Sequence, residues 1–154
     1  MLLFRSAVLA LAFLPTVVFS QQKEAVVTQH AHGTFTVKVA PLTPVPAEGI
    51  SRYSIDKVIT GDLEATTKGE MFSGGDHKAG EAGYVAIEVV TGTLAGKHGS
   101  FVLQHSATMD KSGLNMTVII TPGSGTGDFK GISGTFTIKI EGGVHNYDLE
   151  YTLP

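Results

Sequence analysis

The strongest constraint on the fold of this chain is the alternation of apolar and polar residues along most segments after residue 21. In segment 33–39, for example, Phe35, Val37 and Val39 fall on one side of an extended chain. Such a period of two is typical of a β-strand with one buried face. Similar segments recur at 50–59, 62–66, 84–90, 100–107, 114–120, 135–140 and 143–153. About eight short strands at this spacing predict an all-β domain, either a barrel or a sandwich.

A glycine-rich stretch, PGSGTGDFKGISGTF at 122–136, poses the question of whether it binds a phosphate. A phosphate loop needs a helix N-terminus behind it, where free backbone N–H groups face the anion. Here Gly134 is followed by TFTIKI, which has the alternation of a strand. Its frame, G-x-φ-x-G-x-x-G-x-F, also occurs at 92–101, again before a predicted strand. We therefore expect the glycines to shape hairpins of a curved, closed sheet, and we predict no cofactor.

The first 20 residues resemble a secretory signal peptide. Arg5 precedes an apolar run that ends near Phe19, and the chain turns polar at Gln21. The run is short for a membrane span, so cleavage after Ser20 and no stable membrane insertion afterwards are expected. The predicted organisation is a signal peptide at 1–20, a flexible segment at 21–32 and a barrel domain at 33–154. The predicted location is secreted or periplasmic.

Composition excludes several classes of function. A net charge of −3 offers no basic face for nucleic acid. No cysteine is present, so disulfides, thiolate metal sites and cysteine nucleophiles are excluded. His30 and His32 are spaced H-x-H, but they fall in the predicted flexible segment with no carboxylate at a recognisable ligand spacing. No metal site is predicted.

Four blocks together resemble a bacterial family of uncharacterised proteins whose domain is similar to the allene oxide cyclase barrel. The blocks are GSFVLQH at 99–105, PGSGTG at 122–127, GISG at 131–134 and His145-x-Tyr147-x-x-x-Tyr151. The resemblance runs from about Gly33 to Pro154. It implies one lipocalin-sized antiparallel barrel of about eight strands, whose interior holds side chains or one small ligand. It implies no activity.

Candidate site residues follow from strand parity, because inward side chains alternate with outward ones. His105 shares parity with Phe101 and Leu103, and His145 and Tyr147 share parity with Tyr151. Imidazoles and phenols can exchange protons or hold a polar group near neutral pH. The predicted ligand-binding residues are Phe101, Leu103, His105, Met116, His145, Tyr147 and Tyr151. His105, His145, Tyr147 and Glu88 are the catalytic candidates.

Glu88 interrupts the strand YVAIEVV at 84–90. If Val85, Ile87 and Val89 face the core, Glu88 is solvated, which is the favoured interpretation. If the other face points inward, Glu88 is a buried carboxylate with a raised pKa and a candidate base.

Three functions stay open at this point. The favoured one is an exported barrel that binds a small apolar or aromatic molecule. The alternatives are a cyclase or isomerase acting inside the barrel, and a structural or interaction protein with a filled core. Fold-level likeness does not decide among them, and oligomerisation is left open.

Overall fold

The structure, a computed structural model, describes residues 27–154 and contains no helix within that range. Its strands are β1 Gln29–Pro41, β2 Ile50–Gly61, β3 Leu63–Asp76, β4 Glu81–Leu94, β5 Lys97–Asp110, β6 Gly113–Ile120, β7 Thr126–Gly127, β8 Ser133–Glu141 and β9 Val144–Thr152. The predicted all-β class is confirmed. None of the described residues belongs to a helix that could cross a membrane.

Eight of the nine strands in residues 27–154 close into an antiparallel barrel. Their order is β4-β3-β2-β1-β9-β8-β6-β5, and β5 pairs back onto β4. The short β7 adds to the end of β5 at Gly99 and Ser100. Closure decides between the two predicted architectures, because a sandwich would leave edge strands unpaired.

The first and last long strands meet at one seam of the barrel. Strand β1 pairs with β9 from Gln29 opposite Tyr151 to Phe35 opposite His145. The sheet thus begins at Gln29, four residues before the predicted domain boundary at Gly33. The predicted signal peptide at 1–20 lies outside the described residues.

One end of the barrel is filled and capped. Apolar side chains that are at most 2% exposed occupy it, namely Ile59, Leu63, Leu94, Phe101, Phe129, Ile132, Phe136 and Leu149. The glycine-rich stretch supplies part of this cap, because Phe129 and Ile132 project into the core from the turns that follow β7. A Cβ on Gly125 would lie 1.9 Å from the carbonyl oxygen of Phe129, so only glycine allows this tight turn. The stretch leads directly into strand β8, in agreement with its prediction as a sheet-shaping element.

The capped end also shows an internal repeat in its hydrogen bonds. The backbone N–H of His32 donates to the Asp62 carboxylate at 2.8 Å, and the Asp62 N–H donates back to the His32 carbonyl at 3.0 Å. His98 and Asp128 repeat the pair, each distance being 2.9 Å. Both aspartates follow a glycine of positive φ, at 121° and 58°. The two pairs fix the corners at which the chain leaves β2 and β7.

The opposite end of the barrel is less tightly closed. Strands β6 and β8 are neighbours, yet within the described range their register pairs only Ile119 with Thr135. Along the rest of this seam within residues 27–154, Met116 on β6 and Ile138 on β8 pack against the core, and the two strands form no further register pairs. The interior beside it holds the candidate site.

Candidate functional site

An apolar cavity of about 290 Å³ occupies the barrel interior at the less tightly closed end. Its apolar lining includes Phe35, Ile55, Met71, Met116 and Ile138. Its polar lining is Lys57, Tyr84, His105 and His145. Exposed apolar side chains, Val39, Leu114 and Ile140, form its rim. The volume lies at the lower end of the range for small-molecule sites, about 300–1,000 Å³.

A buried polar cluster lies beside this cavity and contributes Lys57 and His105 to its lining. Glu88 is fully buried, and Lys57 and His105 are 6% and 3% exposed. Four consecutive strands supply the cluster: Lys57 on β2 lies opposite Thr67 on β3, and Glu88 on β4 lies diagonal to His105 on β5. Inward side chains recur at every second residue of a strand, so these four inward side chains lie at a similar height along the barrel axis.

The Glu88 carboxylate accepts a hydrogen bond from each of three side chains. Its Oε1 accepts from the Lys57 ammonium and from His105 Nε2, the latter at 2.8 Å. Its Oε2 accepts from the Thr67 hydroxyl at 2.6 Å. Thr67 in turn accepts the backbone N–H of Lys57 at 3.1 Å. Buried charges persist only when paired and hydrogen-bonded, and this carboxylate meets both conditions.

These contacts keep Glu88 ionised. Burial raises the pKa of the carboxyl, but the His105 hydrogen bond, the charge and hydrogen bond of Lys57, and the Thr67 hydrogen bond together lower that pKa to about 2. An ionised carboxylate only accepts, so His105 must donate from Nε2. Among residues 27–154, no group hydrogen-bonds His105 Nδ1. A neutral His105 therefore carries its free lone pair on Nδ1.

Aromatic rings link the cluster to the rest of the cavity. The Lys57 ammonium lies 5.1 Å from the centre of the Phe35 ring, a cation–π distance. The Phe35 ring contacts His145 at a centroid distance of 5.0 Å. The Tyr84 hydroxyl donates to the Met116 sulfur at 3.1 Å, and burial, followed by the Glu88 charge, raises the pKa of Tyr84. The site thus combines a mainly apolar wall with one anchored polar corner.

Gly69 makes room for Glu88. The two residues are register partners across β3 and β4. A Cβ on Gly69 would lie 2.5 Å from the Glu88 Cβ and 2.3 Å from the Ile87 carbonyl oxygen. No side chain fits there unless the strands separate.

The favoured interpretation of Glu88 is wrong. Val85, Ile87 and Val89 are 43–56% exposed, whereas Ala86, Glu88 and Val90 face the interior. The more apolar face of β4 lies outside because the inward carboxylate has three partners on neighbouring strands. The raised pKa predicted for a buried Glu88 is wrong as well. The pKa of Glu88 is lowered, because its three partners together outweigh desolvation.

The structure separates the other candidates into three groups. His105, Met116 and His145 line the cavity. Phe101 and Leu103 lie fully buried in the apolar core. The hydroxyls of Tyr147 and Tyr151 are used elsewhere: Tyr147 accepts the Leu63 N–H at 3.0 Å, and Tyr151 donates to the Gln29 side chain at 3.1 Å.

Sequence reasoning did not single out Lys57, Thr67 or Tyr84. Lys57 shares parity with Tyr53, Ile55 and Ile59. A charged residue on the apolar face of a strand is a signal of a buried pair, because such a charge needs a partner. On β4, the polar side chains of Tyr84 and Glu88 likewise share a face with the apolar residues Ala86 and Val90. The pairing itself depends on strand order, which the sequence does not display.

His30 and His32, which fall in the segment 21–32 predicted to be flexible, lie on β1. Both project outward, and His32 lies opposite Asp148 on β9 in the strand register. Sequence spacing showed no carboxylate beside the two histidines, because Asp148 comes near them only when β1 pairs with β9.

The fold and site define a class of small closed β-barrels with a buried ion cluster beside an apolar cavity. The chain belongs to the DUF3224 family, described as a family of proteins of unknown function, whose model matches residues 31–151. It is similar to the crystal structure of a protein with unknown function from this family from Shewanella oneidensis MR-1. The two share 38% identity and a TM-score of 0.76, over 83% of this chain and 98% of that one. The search of curated proteins finds no match. The family prediction is confirmed, and the likeness to allene oxide cyclase stays a prediction.

Proposed function

We propose that this protein binds a small apolar or aromatic molecule in the barrel cavity, with the polar end of the molecule toward Lys57 and His105. The observation that carries the proposal is that two members of the ion cluster, Lys57 and His105, line a mainly apolar cavity instead of lying in the filled core. A few polar groups converging in an apolar pocket are typical of ligand sites.

The energetics of the buried ion pair also support a ligand-binding role. Replacing a buried ion pair by apolar residues is often neutral or stabilising, so stability alone is a weak reason for Lys57 and Glu88 to be buried. Glu88 does not itself line the cavity. It holds Lys57 and His105, which do, and so acts as a positioning residue for the groups that face a ligand.

The size of the cavity and its openings limit which ligands can bind. A cavity of about 290 Å³ suits a molecule of one or two rings or a short chain. The exposed apolar rim and the weakly paired seam between β6 and β8 lie on its sides, and both offer a route of entry.

Native mass spectrometry of the protein purified from its own host tests the proposal. We expect a retained small molecule in the wild type. Met116→Trp should exclude the molecule by filling the cavity without touching the ion cluster, and His105→Ala should release it by removing its polar anchor. Tyr147→Phe is the matched control, because its hydroxyl is bonded to Leu63 away from the cavity. An empty wild-type protein, or retention that ignores both cavity variants, would contradict the proposal.

A second candidate, an isomerase, is favoured by the Glu88–His105 pair. A carboxylate that fixes one imidazole nitrogen leaves the other as a proton acceptor. His105 Nδ1 would take a proton from one carbon of a bound molecule and return it to another, which shifts a double bond without any oxidant. In D₂O this activity would place deuterium on carbon in the bound molecule, and His105→Ala would not. Deuterium incorporation that is equal in both proteins, or absent from both, rejects the isomerase.

Export is part of the proposed function. Arg5, the apolar run that follows it and the change to polar residues at Gln21 support a cleaved signal peptide. A binding barrel outside the cytoplasm would meet its ligand in the medium or periplasm.

A further inference from the structure

We propose a divalent transition-metal site on the outer surface of the barrel, formed by His30, His32 and Asp148. The three residues offer ligand atoms that all lie within 4.8 Å of one another. The site would join the first long strand of the barrel to the last. It shares no residue with the cavity and does not depend on the ligand-binding proposal.

Strand geometry explains why these residues converge. His30 and His32 are two apart on β1, so both side chains leave the same face, while Ala31 between them is buried. In the β1–β9 ladder, His32 lies opposite Asp148 and His30 lies opposite Glu150. Two imidazoles and two carboxylates thus form two facing cross-strand pairs on the outside of the sheet.

The distances suit a metal ion. Asp148 Oδ1 lies 3.1 Å from His30 Nδ1 and 3.6 Å from His32 Nδ1. Ligands at about 2.0–2.1 Å from a tetrahedral zinc ion are about 3.3 Å apart, so small side-chain rotations would bring the three atoms into place. Glu150 Oε2 lies 4.0 Å from His30 Nε2, on the other ring nitrogen, where it would accept the ring N–H of a metal-bound His30. Water would complete the ligand set.

The donor types select the class of metal. Imidazole nitrogen with carboxylate oxygen suits Zn²⁺, Cu²⁺ and Ni²⁺, whereas Ca²⁺ and Mg²⁺ prefer oxygen ligands. His30, His32 and Asp148 are 45–62% exposed at their side chains, so an ion can reach them from solvent. The two rings already stack at a centroid distance of 6.0 Å with planes 13° apart, which aligns them on one side of the site.

The position of the site indicates a structural role. Strands β1 and β9 are the first and last long strands of the barrel, and their ladder holds them together. A metal bound to the native arrangement and weakly to the unfolded chain stabilises the fold by mass action. A bound metal would therefore stabilise the pairing of β1 with β9, and a chelator would remove this stabilisation.

Isothermal titration of untagged protein with ZnCl₂ tests the proposal. We expect one saturable site per chain in the wild type. His32→Ala and Asp148→Asn should each weaken it at least about tenfold, the loss typical even for residues outside the ligand set. His77→Ala is the matched control, because it also removes one histidine but lies in the turn after β3. Circular dichroism of each variant without metal checks that the barrel is folded.

Two further readouts separate this site from non-specific binding. The electron paramagnetic resonance spectrum of bound Cu²⁺ should show two imidazole nitrogens in the wild type and one in His32→Ala. Zn²⁺ should raise the melting temperature of the wild type and His77→Ala but not that of His32→Ala. Absence of saturable binding, or equal affinity in all four proteins, overturns the proposal, as does a Cu²⁺ spectrum that His32→Ala leaves unchanged.

Discussion

Replacing Glu88 by glutamine tests the buried cluster most directly. The substitution preserves size but removes the charge, and it leaves the Lys57 ammonium unpaired at a side-chain exposure of 5%. Removing one partner of a buried ion pair typically costs about 3–5 kcal/mol. We expect the free energy of unfolding at pH 7 to fall by that amount.

The pH dependence yields an independent value. A carboxyl whose pKa falls from 4.5 in the unfolded chain to about 2 in the barrel contributes about 3 kcal/mol to stability. Because the folded pKa is the lower one, this contribution is fully present above pH 4.5 and is lost as the pH falls through 2. The difference in stability between wild type and Glu88→Gln should therefore narrow progressively between pH 4.5 and 2.

Urea denaturation followed by far-ultraviolet circular dichroism measures both effects, since the chain has no tryptophan. The double variant Lys57→Met with Glu88→Leu removes both charges and should be more stable than Glu88→Gln. This comparison separates an unpaired charge from a general packing defect. Equal stability of wild type and Glu88→Gln at pH 7, or a difference that does not change with pH, would refute the reasoning.

Two further predictions concern backbone spacing and processing. Gly69→Ala should lower the free energy of unfolding by about 1–3 kcal/mol, because the added Cβ meets Glu88 and the Ile87 carbonyl. Gly74→Ala on the same strand is its control, with no atom closer than 3.4 Å to the new Cβ; equal urea midpoints for the two variants would contradict the clash. Peptide mapping of the exported protein should find its N-terminus near Gln21, and recovery of residues 1–20 would reject export by cleavage.

The alternation of residues was sufficient to predict the class of fold. Segments such as 33–39 and 135–140 read as strands because a half-buried strand imposes a period of two. Absence of a helix-forming segment after Gly134 was also enough to exclude a phosphate loop. His105, Met116 and His145 were likewise placed inward by parity with their apolar neighbours.

Parity failed at β4, where both faces are apolar in sequence. Choosing the more apolar face as the inner one assumes that burial is decided strand by strand. In the barrel, burial of Glu88 is decided by Lys57, Thr67 and His105 on three other strands. Tyr147 shows the same limit, since its inward hydroxyl is committed to the Leu63 backbone, a contact across 84 positions of sequence.

The sequence by itself determined that the chain forms strands, where they turn, and which side chains share a face, because these properties follow from local geometry. Strand order, closure and register were decided only in three dimensions, since they depend on pairings between distant segments. Those pairings place a carboxylate among three donors and bring two histidines beside an aspartate that lies more than a hundred residues away.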